Sequence, residues 1–81
     1  MRPLRTRVVD LIERLEAAIC ILEAHGEDRN AESAREFAHI GADAMGNGDR
    51  ACLAFIAMYG SWCDQIIVRA AAINGEAVTW H

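Results

Sequence analysis

Eighty-one residues with twelve acidic and eight basic side chains, a formal charge of −4, bound one small domain with a thin core. That balance argues against a general affinity for nucleic acid or for anionic membrane, and every basic side chain is arginine, which reads as a bias of the source genome.

Pro3 suits the start of a helix. From there Leu4, Val8, Leu11, Leu15, Ala18 and Leu22 follow a 4-3-4-3-4 spacing, widened by Ile12 and Ile19, which predicts a packed helix over residues 3–25. Val9, Cys20 and Ile21 fall outside that stripe, and Gly26 is a stop signal. After the polar connection Glu27–Asn30, with Asp28 or Asn30 as N-cap, a second helix is expected to end at Met45. Its inner face is small (Ala34, Phe37, Ala38, Gly41, Met45), and Glu32, Arg35, Glu36, His39 and Asp43 line its outer face. Gly46-Asn47-Gly48 ends it and Asp49 caps the next.

The third helix, residues 50–73, organises the chain. Cys52, Phe55, Ile56, Tyr59, Trp62, Cys63, Ile66, Ile67, Ala70 and Ile73 share one broad side at 100° per residue. Arg50, Ala54, Ala57, Ser61, Asp64, Gln65 and Arg69 share the other. Gly60-Ser61 is a candidate kink, Asn74-Gly75 reads as a stop, and Val78 and Trp80 lie in a short tail.

No constellation reads as an active site. Glu36 and His39 form one Glu-x-x-His pair, whereas carboxylate-bridged metal bundles need two such pairs and two further glutamates, all facing inward. Cys52, Cys63, His25, His39 and His81 lack the close-set pairs of structural zinc sites, and an apolar setting makes the thiols inert. Cys52 and Cys63 lie about 16 Å apart along one helix, beyond disulfide reach. A helix-turn-helix would place Arg50-Ala51-Cys52-Leu53-Ala54-Phe55 on DNA, with a single basic residue among them. No leader pattern is visible, and the uncharged run Ala51–Cys63 is shorter than the roughly 20 residues of a membrane span.

These features predict an all-α, up-down-up three-helix bundle, with residues 1–75 as the domain and 76–81 as a tail. The expected setting is cytoplasmic, with no cofactor, no metal, no catalysis and no membrane or nucleic-acid partner. The expected activity is protein–protein binding, as an adaptor, regulatory subunit or stoichiometric inhibitor, with Glu32, Glu36 and Asp43 facing a basic partner. A mobile-element inhibitor of a host defence complex, of the anti-CRISPR kind, fits by size and acidity. A thiol- or metal-dependent protein using Cys52 and Cys63 with a histidine is the other alternative. Helix lengths further suggest that the ends of helices 1 and 3 overhang helix 2. Leu4, Val8, Ile66, Ile67, Ala70 and Ile73 would then be uncovered, which predicts a homodimer through Trp62, Ile66, Ile67 and Ile73. Folding the tail back, with Val78 and Trp80 over Ile66 and Ile73, is the monomeric solution.

Overall fold

The structure, a computed structural model, describes residues 3–79, and the side chains of residues 3–75. Three helices, α1 (Leu4–Ala24), α2 (Asp28–Gly46) and α3 (Asp49–Thr79), pack on one another, with no strand among the described residues. The short connections make α2 antiparallel to both neighbours, so α1 and α3 run parallel and touch directly.

The first turn is set by backbone hydrogen bonding. Gly26 adopts φ 74°, Glu27 N–H donates to the Leu22 carbonyl at 2.8 Å and Gly26 N–H to that of Glu23 at 3.2 Å. This crossed pair satisfies two carbonyls at the end of α1, and only a residue tolerant of left-handed backbone permits it. The Glu27 carbonyl then accepts from Ala31 N–H at 3.0 Å, so α2 begins at Asp28 with Glu27 at its N-cap. Neither Asp28 nor Asn30 is the cap. Asn30 Nδ2 instead donates to Glu27 Oε1 at 2.9 Å. At the second turn Gly48 takes φ 99°, and its carbonyl accepts from Cys52 N–H at 3.1 Å.

The third helix runs unbroken through Gly60, as a three-helix bundle requires, so the candidate kink there is not a break. It departs from expectation in continuing over Asn74-Gly75 to Thr79. Glycine ends a helix by turning left-handed, and among the described glycines only Gly26 and Gly48 have positive φ. At Gly60 and Gly75 the backbone stays helical, and glycine there costs propensity without stopping the chain. Residues 76–79 are therefore helical rather than a separate tail. The proposed packing of Val78 and Trp80 lies outside the described side chains.

The core takes Val8, Leu15, Ala18 and Leu22 from α1, Ala31, Ala34, Gly41 and Ala44 from α2, and Cys52, Phe55, Cys63, Ile66, Ala70 and Ile73 from α3. The fully buried residues of α2 are all small, which lets both neighbours come close to it, while Phe37, Ile40 and Met45 pack at the edges of the core. The two neighbours converge at Gly41: a Cβ there would lie 3.0 Å from Phe55 Cζ and 3.2 Å from both Ile12 Cγ1 and Cδ1.

The expected overhang is absent. Val8, Ile66, Ala70 and Ile73 are 0, 9, 2 and 8% exposed, and Leu4 and Ile67 are half-buried. Two features close the ends: α2 is longer than its apolar spacing suggested, and α1 covers α3 directly. Arg69 marks the level, its Nη2 and Nε donating to Glu27 Oε2 and Oε1 at 3.0 and 3.4 Å beside the first turn. At the opposite end Arg5 Nη2 donates to the Met45 carbonyl at 3.0 Å.

Candidate binding surface

With its core face turned inward, α3 has a second apolar face turned outward. Ala54, Met58, Ser61, Gln65, Val68 and Ala72 follow a 4-3-4-3-4 spacing, the period of a helix seam, and all are exposed. Leu53 and Ala57 widen the stripe on one side and Trp62 on the other. The large side chains are far from covered: Leu53 is 54% exposed, Met58 66%, Trp62 56% and Val68 66%. The six seam positions are uncharged, but Arg50, Asp64 and Arg69 are exposed on the same side of the helix and flank them. Asp64 borders a shallow cleft between α1 and α3 that Arg7, Asp10 and Arg14 also line.

Trp62 is held in place although exposed. Its ring centroid lies 6.0 Å from that of Phe37 and 6.4 Å from that of Tyr59, which in turn lies 5.6 Å from Phe37 and 5.8 Å from Phe55. The tilted and edge-on geometries suit aromatic quadrupoles. A groove between α2 and α3, lined by Asn30, Ser33, Phe37, Trp62, Gln65 and Arg69, runs beside this cluster to the Glu27–Arg69 pair. There the Arg69 guanidinium, and secondarily the Asn30 amide, hold the Glu27 carboxyl below its usual range.

Glu32, Glu36 and Asp43 are all exposed on the outer side of α2, as the spacing implied. Their surroundings are not of a single sign. Arg29 and Arg35 interleave with them, Arg35 pairs with Glu23 of α1, and His39 Nε2 lies 3.7 Å from Asp43 Oδ2.

Cys52 and Cys63 are buried and Cys20 is exposed. The Cys52 thiol donates to the Ala44 carbonyl at 3.7 Å. Burial, aided by the neighbouring Asp64 charge, pushes the Cys63 thiol up to about 11, which leaves it protonated and unreactive at neutral pH. Among the described residues no three His, Cys, Asp or Glu side chains converge as metal ligands would.

Of the four residues expected at a dimer interface, Trp62 is exposed and Ile67 half-buried, whereas Ile66 and Ile73 belong to the core of a single chain. Leu53, Met58 and Val68, the most prominent apolar side chains outside, escaped the reading of the sequence. The 4-3-4-3-4 spacing from Ala54 to Ala72 was the signal that could have found them. Asp49–Gly75 is also long and apolar enough, by length and composition alone, to cross a membrane, although the Ala51–Cys63 run by itself is not. Comparison with known proteins found no match: no family model fits the chain, and no curated protein or solved structure is significantly similar to it.

Proposed function

We propose that this protein acts by binding other protein chains, with the outer face of α3 as its contact surface, and that it does so without catalysis. The observation that carries this reading is the exposure of Met58, Trp62 and Val68, with Ala54 and Ala72, along one side of a helix already packed on its other side. Scattered apolar residues on a surface are ordinary, but a continuous face of them on a folded monomer marks an interaction site. An aromatic anchor held rigid by its neighbours, as Trp62 is by Phe37 and Tyr59, loses little entropy on binding and is the commonest kind of hot spot. Glu32, Glu36 and Asp43 would then steer a partner carrying basic side chains, raising the rate of encounter more than the affinity. An adaptor, a regulatory subunit and a stoichiometric inhibitor, including one directed against a host defence complex, are all forms of this reading.

The test uses the native chain and two surface variants, Trp62→Ala and Met58→Glu, as bait in lysate of the source cell. A partner held by the native chain and lost from both folded variants is the expected result. If all three baits retain the same proteins, α3 is not the contact surface and the reading fails.

A further inference from the structure

The reading of α3 as a contact surface leaves its occupant open, and the order of residues along the seam narrows it. Ala54, Met58, Ser61, Gln65, Val68 and Ala72 match their own reverse. Turned end for end about a point level with Cys63, the seam sets Ala54 opposite Ala72, Met58 opposite Val68, and Ser61 opposite Gln65. Small meets small at both ends and large apolar meets large apolar further in. The two polar side chains meet each other beside the axis, where a hydroxyl and an amide can exchange hydrogen bonds. In the parallel arrangement each residue would face its own copy, Ser61 against Ser61 and Gln65 against Gln65, and Arg50 would face Arg50 one turn before Ala54.

We infer that the outer face of α3 is covered by the same face of a second copy of this chain, the two helices running antiparallel about a twofold axis. The inference rests on the proposed reading of that face as an interface and names its occupant. An isologous contact of this kind needs a patch complementary to itself, which is the property the seam has. The face between Leu53 and Ala72 runs about 29 Å along the helix. A standard specific interface removes roughly 1,200–2,000 Å² from water in total, and this face with its flanking residues is the surface a dimer would draw on to reach it. The alanines at positions 54, 57 and 72 let the backbones come close, so that Met58, Trp62 and Val68 reach across.

A lipid surface would satisfy the apolar residues of the face and leave the rest unserved. Ser61 and Gln65 would face hydrocarbon without partners, and Asp64 and Arg50 would be drawn toward it, an arrangement that intramembrane helices avoid. A second copy answers all four: it pairs the first two and leaves the charges at the rim. The twofold axis also brings Trp62 of each copy beside the other.

The experiment uses the purified full chain alone, which separates it from the lysate assay. Light scattering coupled to size exclusion, from 5 to about 100 μM, should give twice the chain mass of 8.9 kDa. Met58→Glu combined with Val68→Glu should weaken the dimer by at least about a hundredfold and yield the monomer mass, with the helical circular dichroism spectrum retained. Val68→Arg alone is the second variant should the double one lose its helical signal, and it should shift the mass in the same direction. A monomer mass for the native chain across the range overturns the inference, as does a dimer unaffected by either variant. So does co-sedimentation of the native chain with vesicles of phosphatidylcholine and phosphatidylglycerol in place of self-association. Any of these results leaves the contact-surface reading to be judged by the lysate assay, whose own failure would appear as baits that do not differ.

Discussion

Both faces of α3 carry large apolar side chains, with opposite fates. The inner face holds Cys52, Phe55, Cys63, Ile66, Ala70 and Ile73 against two helices, and the outer face holds Leu53, Met58, Trp62 and Val68 against none. Hydrophobicity alone does not separate them. What separates them is the shape of the receiving surface: α1 and α2 form a trough whose floor is Gly41 and the alanines of α2, and only one side of α3 fits it. An apolar face is buried where a complementary surface exists within the chain, and stays exposed where none does.

Truncation separates the faces most sharply. Phe55→Ala should lower the stability of the fold by about 3–5 kcal/mol, because it empties the space over Gly41 that no neighbour can refill. Met58→Ala, one turn away on the outer face, should change the stability of the isolated chain by no more than about 0.5 kcal/mol. Urea denaturation of the two variants at low protein concentration measures the difference; equal losses would mean that α3 is not seated as described.

Thiol chemistry reads the same division without changing the sequence. Under native conditions a maleimide should label Cys20 at least about a hundred times faster than Cys63, whose thiol is buried and protonated at neutral pH. Mass spectrometry over a time course reports it, and in denaturant the three rates should converge.

Two glycines sharpen the comparison at a smaller scale. Gly41→Val should cost about 1–3 kcal/mol, since its side chain enters the space of Phe55 Cζ and Ile12. Gly60→Ala should stabilise by up to about 1 kcal/mol. Its new Cβ would meet only Ile56 Cγ2, at an ordinary 3.7 Å, and the backbone is already helical. Thermal melts of the two variants should therefore move in opposite directions, and a loss at both sites would show that the α1–α3 side of the bundle is as tight as the α1–α2 side.

The smallest effect belongs to the clamp at the end of the groove. The Glu27 carboxyl is held below its usual range by Arg69 first and Asn30 second. A carboxyl depressed on folding contributes stability above its unfolded value, near 4.5, and that contribution is lost as pH falls through the lower folded value. Carbon-detected titration by NMR should show the Glu27 midpoint below 4.5 in the native chain and shifted upward in Arg69→Met.

Much of this architecture can be read from spacing. The three apolar stripes, the left-handed glycines at the two turns and the small inner face of α2 all follow from local rules that the fold obeys. The errors share one cause, which is that local rules cannot say what lies across a gap. Asn74-Gly75 has the composition of a stop, yet nothing at that point draws the backbone out of the helix. Trp62 sits at the edge of the apolar arc, where a rotation of a few tens of degrees decides between core and surface. The end of α3 was measured against α2, the helix before it, when α1 is the one that covers it. The outer seam was legible but went unread, because Arg50, Ser61, Asp64, Gln65 and Arg69 on the same side of the helix mark it as the polar face.

The hollow at Gly41 has a consequence for how sequences of this fold can drift. Positions 12, 41 and 55 fill one fixed space from three helices, so enlarging any of them is tolerated only if another shrinks. They form a unit of constant volume, in which an alanine at 41 would call for a leucine at 55 or a valine at 12. A distant relative would then share with this chain the sum of those three side chains and the apolar spacing around them, while differing at each position taken singly.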